Sequence, residues 1–162
     1  MLAYCGFVVT DAWIFQQKER GQLRRLLEER HSGNGAIRQT VFPGSPRTEP
    51  PAVNGSLIGR IEIPRLGLSV IVIEGTSRIA LRRAVGHIPG TALPGSPGNV
   101  GISGHRDTFF RPLRNIRRND IITLTTLLGE YRYRVVSTKV VGPDDVAVLD
   151  PSGNEVLTLV TC

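Results

Sequence analysis

The sequence predicts a mainly-β domain over residues 57–162, preceded by a helical N-terminal segment, residues 1–31, and a linker, residues 32–56. Three observations predict it. From Leu57 onward the chain reads as short runs rich in Ile, Val and Thr, separated by Gly and Pro. Residues 32–56 hold four Gly and four Pro in 25 positions with almost no periodic apolar signal, which is linker composition. The length of 162 residues, 40% hydrophobic, suits one domain plus extras. Gly and Pro together make 29 of 162 residues, about 18%, below the roughly 25–30% at which disorder becomes the default reading.

Taken in order, residues 2–15 (LAYCGFVVTDAWIF) form an apolar run containing Asp11. At about 14 residues it falls short of the ~20 that a membrane-crossing helix needs. It reads either as a core helix or as the outer part of a membrane anchor. Lys18, Arg20, Arg24 and Arg25 follow the run rather than precede it, the reverse of a secretory signal, so a clipped N-terminus is expected. Cys5 lies in this run as a passive residue. Leu23, Leu26 and Leu27 then recur at helical spacing, giving a short amphipathic helix.

In the β region, Ile61 and Ile63 alternate with polar residues before Pro64, and SVIVIEG follows as a buried strand. Thr76 or Ser77 is placed to cap a short helix through RIALRRAV. Residues 86–104 hold nine Gly or Pro in 19 positions yet keep apolar residues, an ordered loop feeding the strand NVGIS. Asp107 or Thr108 is placed to cap a second helix with Phe109, Leu113 and Ile116 on one face and Arg111, Arg114 and Arg118 opposite. IITLTT, YRYRVVSTKVV and VLTLVTC supply further strands, for at least six in all.

Charge and cysteine content exclude several classes. The net charge is +6, and within residues 57–162 the Arg106, Arg111, Arg114, Arg117 and Arg118 cluster against Asp107 accounts for the whole surplus of four. A nucleic-acid binder would show a broader basic face with stacking aromatics, so no nucleic-acid partner is expected. The two cysteines, Cys5 and Cys162, make neither a disulfide scaffold nor a CxxC pair. Glu62, Glu74 and Glu130 are scattered without calcium-loop spacing, and neither metal nor cofactor is expected.

Two places combine residue types that chemistry uses. At Gly104-His105-Arg106-Asp107 an apolar strand ends and delivers a histidine; at TLVTC, residues 158–162, another delivers a thiol. A thiolate nucleophile needs a base or a cation nearby, and an imidazole from a different strand commonly provides it. The 57-residue separation forbids local pairing, so only adjacent strand ends would unite them. From spacing alone, a cysteine closing an apolar strand is more often a core residue.

The stretch GHIPGTALPGSPGNVGISGHRDTFFRPLRNIRRND, followed by TLVTC, closely resembles the sortase family, and GHRDTFFRPL resembles its class D branch. The resemblance covers residues 57–162. It implies a cysteine transpeptidase on an eight-stranded β-barrel, tethered to a membrane through its N-terminus and facing outward. Such enzymes cut secreted proteins at an LPXTG-like sorting signal and transfer the acyl group to an amine on cell wall or pilin. Carried over, Cys162 is the nucleophile and His105 the proton donor and acceptor. The family's third residue, an arginine on the strand after the cysteine, matches none of the 18 arginines here; Arg106 is not assigned to the role. The expectation is therefore a catalytic domain incomplete at its C-terminus and inactive or nearly so as residues 1–162.

His87, before the proline-rich loop, is expected to hydrogen-bond that loop, and Asp107 either orients His105 or, preferably, caps the following helix. A rival reading keeps the barrel as a non-catalytic extracytoplasmic binding domain. An L,D-transpeptidase would need Gly-Cys followed closely by Arg, which TLVTC lacks.

Overall fold

The computed structural model describes the backbone of residues 2–32 and 53–162, and the side chains of residues 12–30, 32 and 53–162. Most of the expected linker and the Cys5 side chain lie outside the described residues. The elements run α1 (Leu2–Ser32), β1 (Leu57–Ile63), β2 (Leu68–Glu74), α2 (Arg78–Arg83), β3 (Val85–His87), β4 (Gly98–Ser103), β5 (Ile121–Thr126), β6 (Glu130–Arg134) and β7 (Glu155–Val160), with short 3₁₀ helices at Pro64–Leu66, Arg111–Asn115 and Val146–Leu149.

The strands form one mixed sheet in the order β6-β5-β1-β2-β3-β4-β7. It curls into a nearly closed barrel. The alternation that predicted β1 also orients it: Ile61 and Ile63 are fully buried while Arg60 and Glu62 point outward and pair with each other at 3.0 Å. Val70, Val72, Val85, Val100, Ile102, Ile122 and Leu124 complete the interior, with Tyr133, Leu157 and Leu159 packed against it from the two end strands. Each such aliphatic side chain contributes roughly 1.5–3 kcal/mol of burial. The two end strands approach each other: Glu155 of β7 acts electrostatically on Tyr133 of β6, whose hydroxyl pKa is raised first by burial and then by that carboxylate.

The opposite face of β2 explains α1. Ile71 and Ile73 alternate with the inward valines and would face water; with Ala84 they are instead covered by Phe15 and Ala80. Where the sequence suggested an apolar run and a separate amphipathic helix, one 31-residue helix forms. Leu23 is buried. The Gln16 amide donates to the Arg83 carbonyl at 2.7 Å and accepts from the Ile71 N–H at 2.9 Å. Arg20 and Arg30 donate to the Ser69 and Leu127 carbonyls. The Arg83 guanidinium lies 5.9 Å above the Phe15 ring. No helix among the described residues is long and apolar enough to cross a membrane.

Three local expectations need correction. Ser77 does cap α2, accepting from Ala80 N–H at 3.2 Å, but the Arg-rich segment is a 3₁₀ helix with no side-chain cap. Asp107 instead pairs with Arg106 at 3.4 Å. Pro112 near the start of that helix removes a donor and sets φ, and the buried aromatic is Phe110, with Phe109, Leu113 and Ile116 half-buried beside it. Finally, β6 stops at Arg134, and residues 136–147 are exposed and form no strand.

Candidate active site

His105 and Cys162 follow two strands that pair with each other, β4 and β7. The pair is parallel, with Gly98 opposite Glu155 and Ser103 opposite Val160. One further hydrogen bond, from Gly104 N–H to the Val160 carbonyl at 3.1 Å, carries the ladder past Ser103. His105 lies two residues beyond Ser103, and Cys162 two beyond Val160. Both therefore follow, by two residues, the last paired positions of neighbouring parallel strands, at the same end of the sheet. Both residues are exposed, and Cys162 is a free thiol.

The register is locked from the side. The Asn99 carboxamide, buried on β4, accepts from the Thr158 hydroxyl at 2.7 Å and donates to the Val148 carbonyl at 3.0 Å. A slip of one residue would turn Cys162 to the other face of the sheet, and would also break this contact.

His105 is presented by a tight turn. Its carbonyl accepts from Phe110 N–H at 3.1 Å and Thr108 N–H at 3.3 Å. The Phe110 ring is fully buried beneath the turn. A Cβ at Gly104 would meet Phe110 Cδ2 at 2.7 Å and Val85 Cγ1 at 2.8 Å, so only glycine lets the strand pass over the ring. Arg111, Arg114, Arg117 and Arg118 are exposed around this turn, giving the neighbourhood of His105 a positive surface.

The strip leading to the pair is the outward face of β4 and β7. At Gly101 it is covered by Ile88 and Thr91 on one side and Leu149 on the other, all within 3.0–3.2 Å of where a Cβ would stand. Ser103 and Val160 farther along are half-open. Beyond Ser103 and Val160, at one end of these two strands, stand an exposed imidazole and an exposed free thiol.

His87 lies elsewhere. It is buried on β3, with Nδ1 2.8 Å from Glu74 Oε2, and Nε2 2.9 Å from the Ala92 carbonyl and 3.1 Å from Thr91 Oγ1. It does bond the loop, as expected. Its partner Glu74 was not foreseen: the two sit 13 residues apart and meet only because β2 and β3 run parallel across α2. Among the described residues no group of three or more His, Cys, Asp or Glu side chains could hold a metal ion.

The family model of the Sortase domain matches residues 61–162, and the chain belongs to the sortase family. Sortase D of Bacillus subtilis (strain 168) is 35% identical over 109 residues, covering 67% of this chain and 55% of the relative. Sortase A of Listeria monocytogenes is 30% identical over 111 residues, covering 66% and 50%. Among solved structures, a Sortase D5 transpeptidase of Clostridium perfringens superimposes with a TM-score of 0.65 at 34% identity, over 68% of this chain and 72% of that one. The chain spans about half the length of the curated relatives it matches.

Proposed function

We propose that this chain carries the nucleophile and the proton-transfer residue of a class D-like cysteine transpeptidase. The observation that supports the reading is that exposed His105 and exposed Cys162 each follow, by two residues, the last paired positions of two neighbouring parallel strands. The Cys162 sulfur attacks the Thr–Gly carbonyl of an LPXTG-like sorting signal, a thioester forms and the C–N bond breaks. His105 protonates the departing amine. An acceptor amine on cell wall or pilin then attacks the thioester, gives its proton to His105 and releases the thiolate. Membership of the sortase family supports membrane attachment through the N-terminus and an extracytoplasmic catalytic domain. The proposed partners are secreted proteins bearing the signal, together with the acceptor amine.

The proposed domain limits are residues 1–31 for the helical segment, 32–56 for the linker and 57–162 for the catalytic part. The third residue implied by the resemblance, an arginine after the cysteine, is matched by none of the arginines in the sequence. The test is alkylation of Cys162 by iodoacetamide near neutral pH. A reactive thiolate that slows in His105→Ala supports the reading. An ordinary rate, equal in both proteins, overturns it in favour of a binding module.

A further inference from the structure

We propose that His87 is a positioning residue: with Glu74 it clamps residues 88–92 against β4, and thereby sets the side of the strip along which a peptide reaches Cys162. This rests on the reading of His105 and Cys162 given above. His87 is 2% exposed and Glu74 7%, a polar pair inside a barrel end that is otherwise aliphatic. An imidazole in such a place has to face partners on both nitrogens, and each has one. Nδ1 meets the Glu74 carboxylate, and Nε2 meets the Ala92 carbonyl, which only accepts.

The clamp extends through Thr91. Its hydroxyl donates to the Ile88 carbonyl at 2.7 Å, accepts from Gly101 N–H at 3.1 Å and lies 3.1 Å from His87 Nε2. Ile88 N–H reaches the Gly101 carbonyl at 2.8 Å, and Ala92 N–H the Asn99 carbonyl at 3.0 Å. Residues 88–92 thus run along β4 beyond the end of β3 without strand geometry, and the buried His87 ring joins these bonds to Glu74. The side chains so placed, Ile88 and Thr91, are the ones that cover Gly101 on the floor of the strip. Pro89 and Gly90, the latter at φ 88°, shape residues 88–91 as a β-turn closed by Thr91 N–H to the Ile88 carbonyl at 3.2 Å, but such a turn does not by itself fix where it lies on β4. His87 touches neither Cys162 nor His105, so its effect is on where a peptide lies and not on the thiol.

The experiment separates those two quantities in residues 1–162. Iodoacetamide alkylation of Cys162 is followed with increasing concentrations of an LPXTG peptide, giving a basal rate and a half-protecting concentration. In Thr91→Val, which removes the hydroxyl and keeps the His87–Glu74 pair, the half-protecting concentration should rise about fivefold, and in His87→Gln about tenfold, as befits lost buried hydrogen bonds. Each half-protecting concentration is read relative to that variant's own rate without peptide, and amide exchange of Thr91 and Ala92 should quicken in both variants ahead of the rest of the barrel. An unchanged half-protecting concentration in both variants overturns the proposal. So does exchange that quickens equally throughout the barrel, because His87 would then be supporting the whole fold. If the unaltered chain shows no peptide protection at all, the transpeptidase reading falls. The proposal, which rests on it, falls with it as a statement about peptides, and unchanged exchange at Thr91 and Ala92 would refute the clamp separately.

Discussion

Replacing Gly104 by alanine tests whether the turn presenting His105 depends on backbone passing directly over Phe110. The added methyl would stand 2.7 Å from Phe110 Cδ2, 2.8 Å from Val85 Cγ1 and 2.9 Å from Phe110 Cε2. Ordinary carbon contacts are about 3.5–4.0 Å, so the shortfall is roughly 0.6–1.3 Å on two sides at once. Neither neighbour has room to retreat, since Phe110 and Val85 are both fully buried. Overpacking of this kind costs about 1–3 kcal/mol, a sizeable part of the ~5–15 kcal/mol that holds a domain folded. Urea denaturation gives the number, with Gly142→Ala as control because nothing lies within 4 Å of a Cβ there; that control should stay within about 0.5 kcal/mol of the parent. Shrinking the ring with Phe110→Leu should partly rescue Gly104→Ala, with a coupling of about 0.5–3 kcal/mol in a double-mutant cycle. Coincident midpoints for Gly104→Ala and Gly142→Ala would refute the reasoning, as would strict additivity with Phe110→Leu.

Two further outcomes are expected. The Arg65 guanidinium grips Asp120 through bonds of 2.5 and 2.6 Å, and the Arg117 N–H adds another at 2.8 Å. Together these hold the Asp120 carboxyl at about 2, against an ordinary value of 3.8, chiefly through the Arg65 bond. Because the folded value is the lower one, the stabilisation is present above about pH 4 and is lost as pH falls towards 2. Urea midpoints measured from pH 5 to pH 2 should therefore fall less steeply for Asp120→Asn than for the parent, and an identical slope would count against the pair. Gln16→Ala should cost about 1–3 kcal/mol by removing the acceptor of the buried Ile71 N–H bond and the donor of one bond to the Arg83 carbonyl; faster exchange of the Ile71 amide is the check, and unchanged protection would mean that α1 is not held there.

The sequence disclosed what local pattern controls. Alternation at Ile61 and Ile63, the SVIVIEG run and the Ser77 cap each follow from neighbours a few residues away, and each stands where it was expected. His105 and Cys162 were nameable from strand ends together with a family resemblance. That the strands preceding them are parallel neighbours is not legible there, because it depends on which strands pair and in what register. Phe109, Leu113 and Ile116 do pack on the core as their spacing suggests, but the fully buried Phe110 is not legible from an α-helical period because the segment is a 3₁₀ helix with Pro112 at its start. Gln16 escaped notice because a glutamine in a helix reads as a surface residue; only the unpaired Ile71 N–H on the covered face of β2 gives it a task. Glu74 was dismissed as an isolated acid for a similar reason: its partner comes from the next parallel strand.

The Asn99 lock on β7 bears on how this architecture tolerates changes in length. Cys162 is located by the ladder to β4 and by the bond from Thr158 to Asn99, not by the exposed connection of residues 136–147. Insertions or deletions in that connection change loop-closure entropy slowly, about 0.6 kcal/mol for each doubling. They leave the pairing of β4 with β7 as it is. The count of residues between His105 and Cys162 is thus free to change in that connection, and a sequence with a different count would end the same two paired strands with the same two residues.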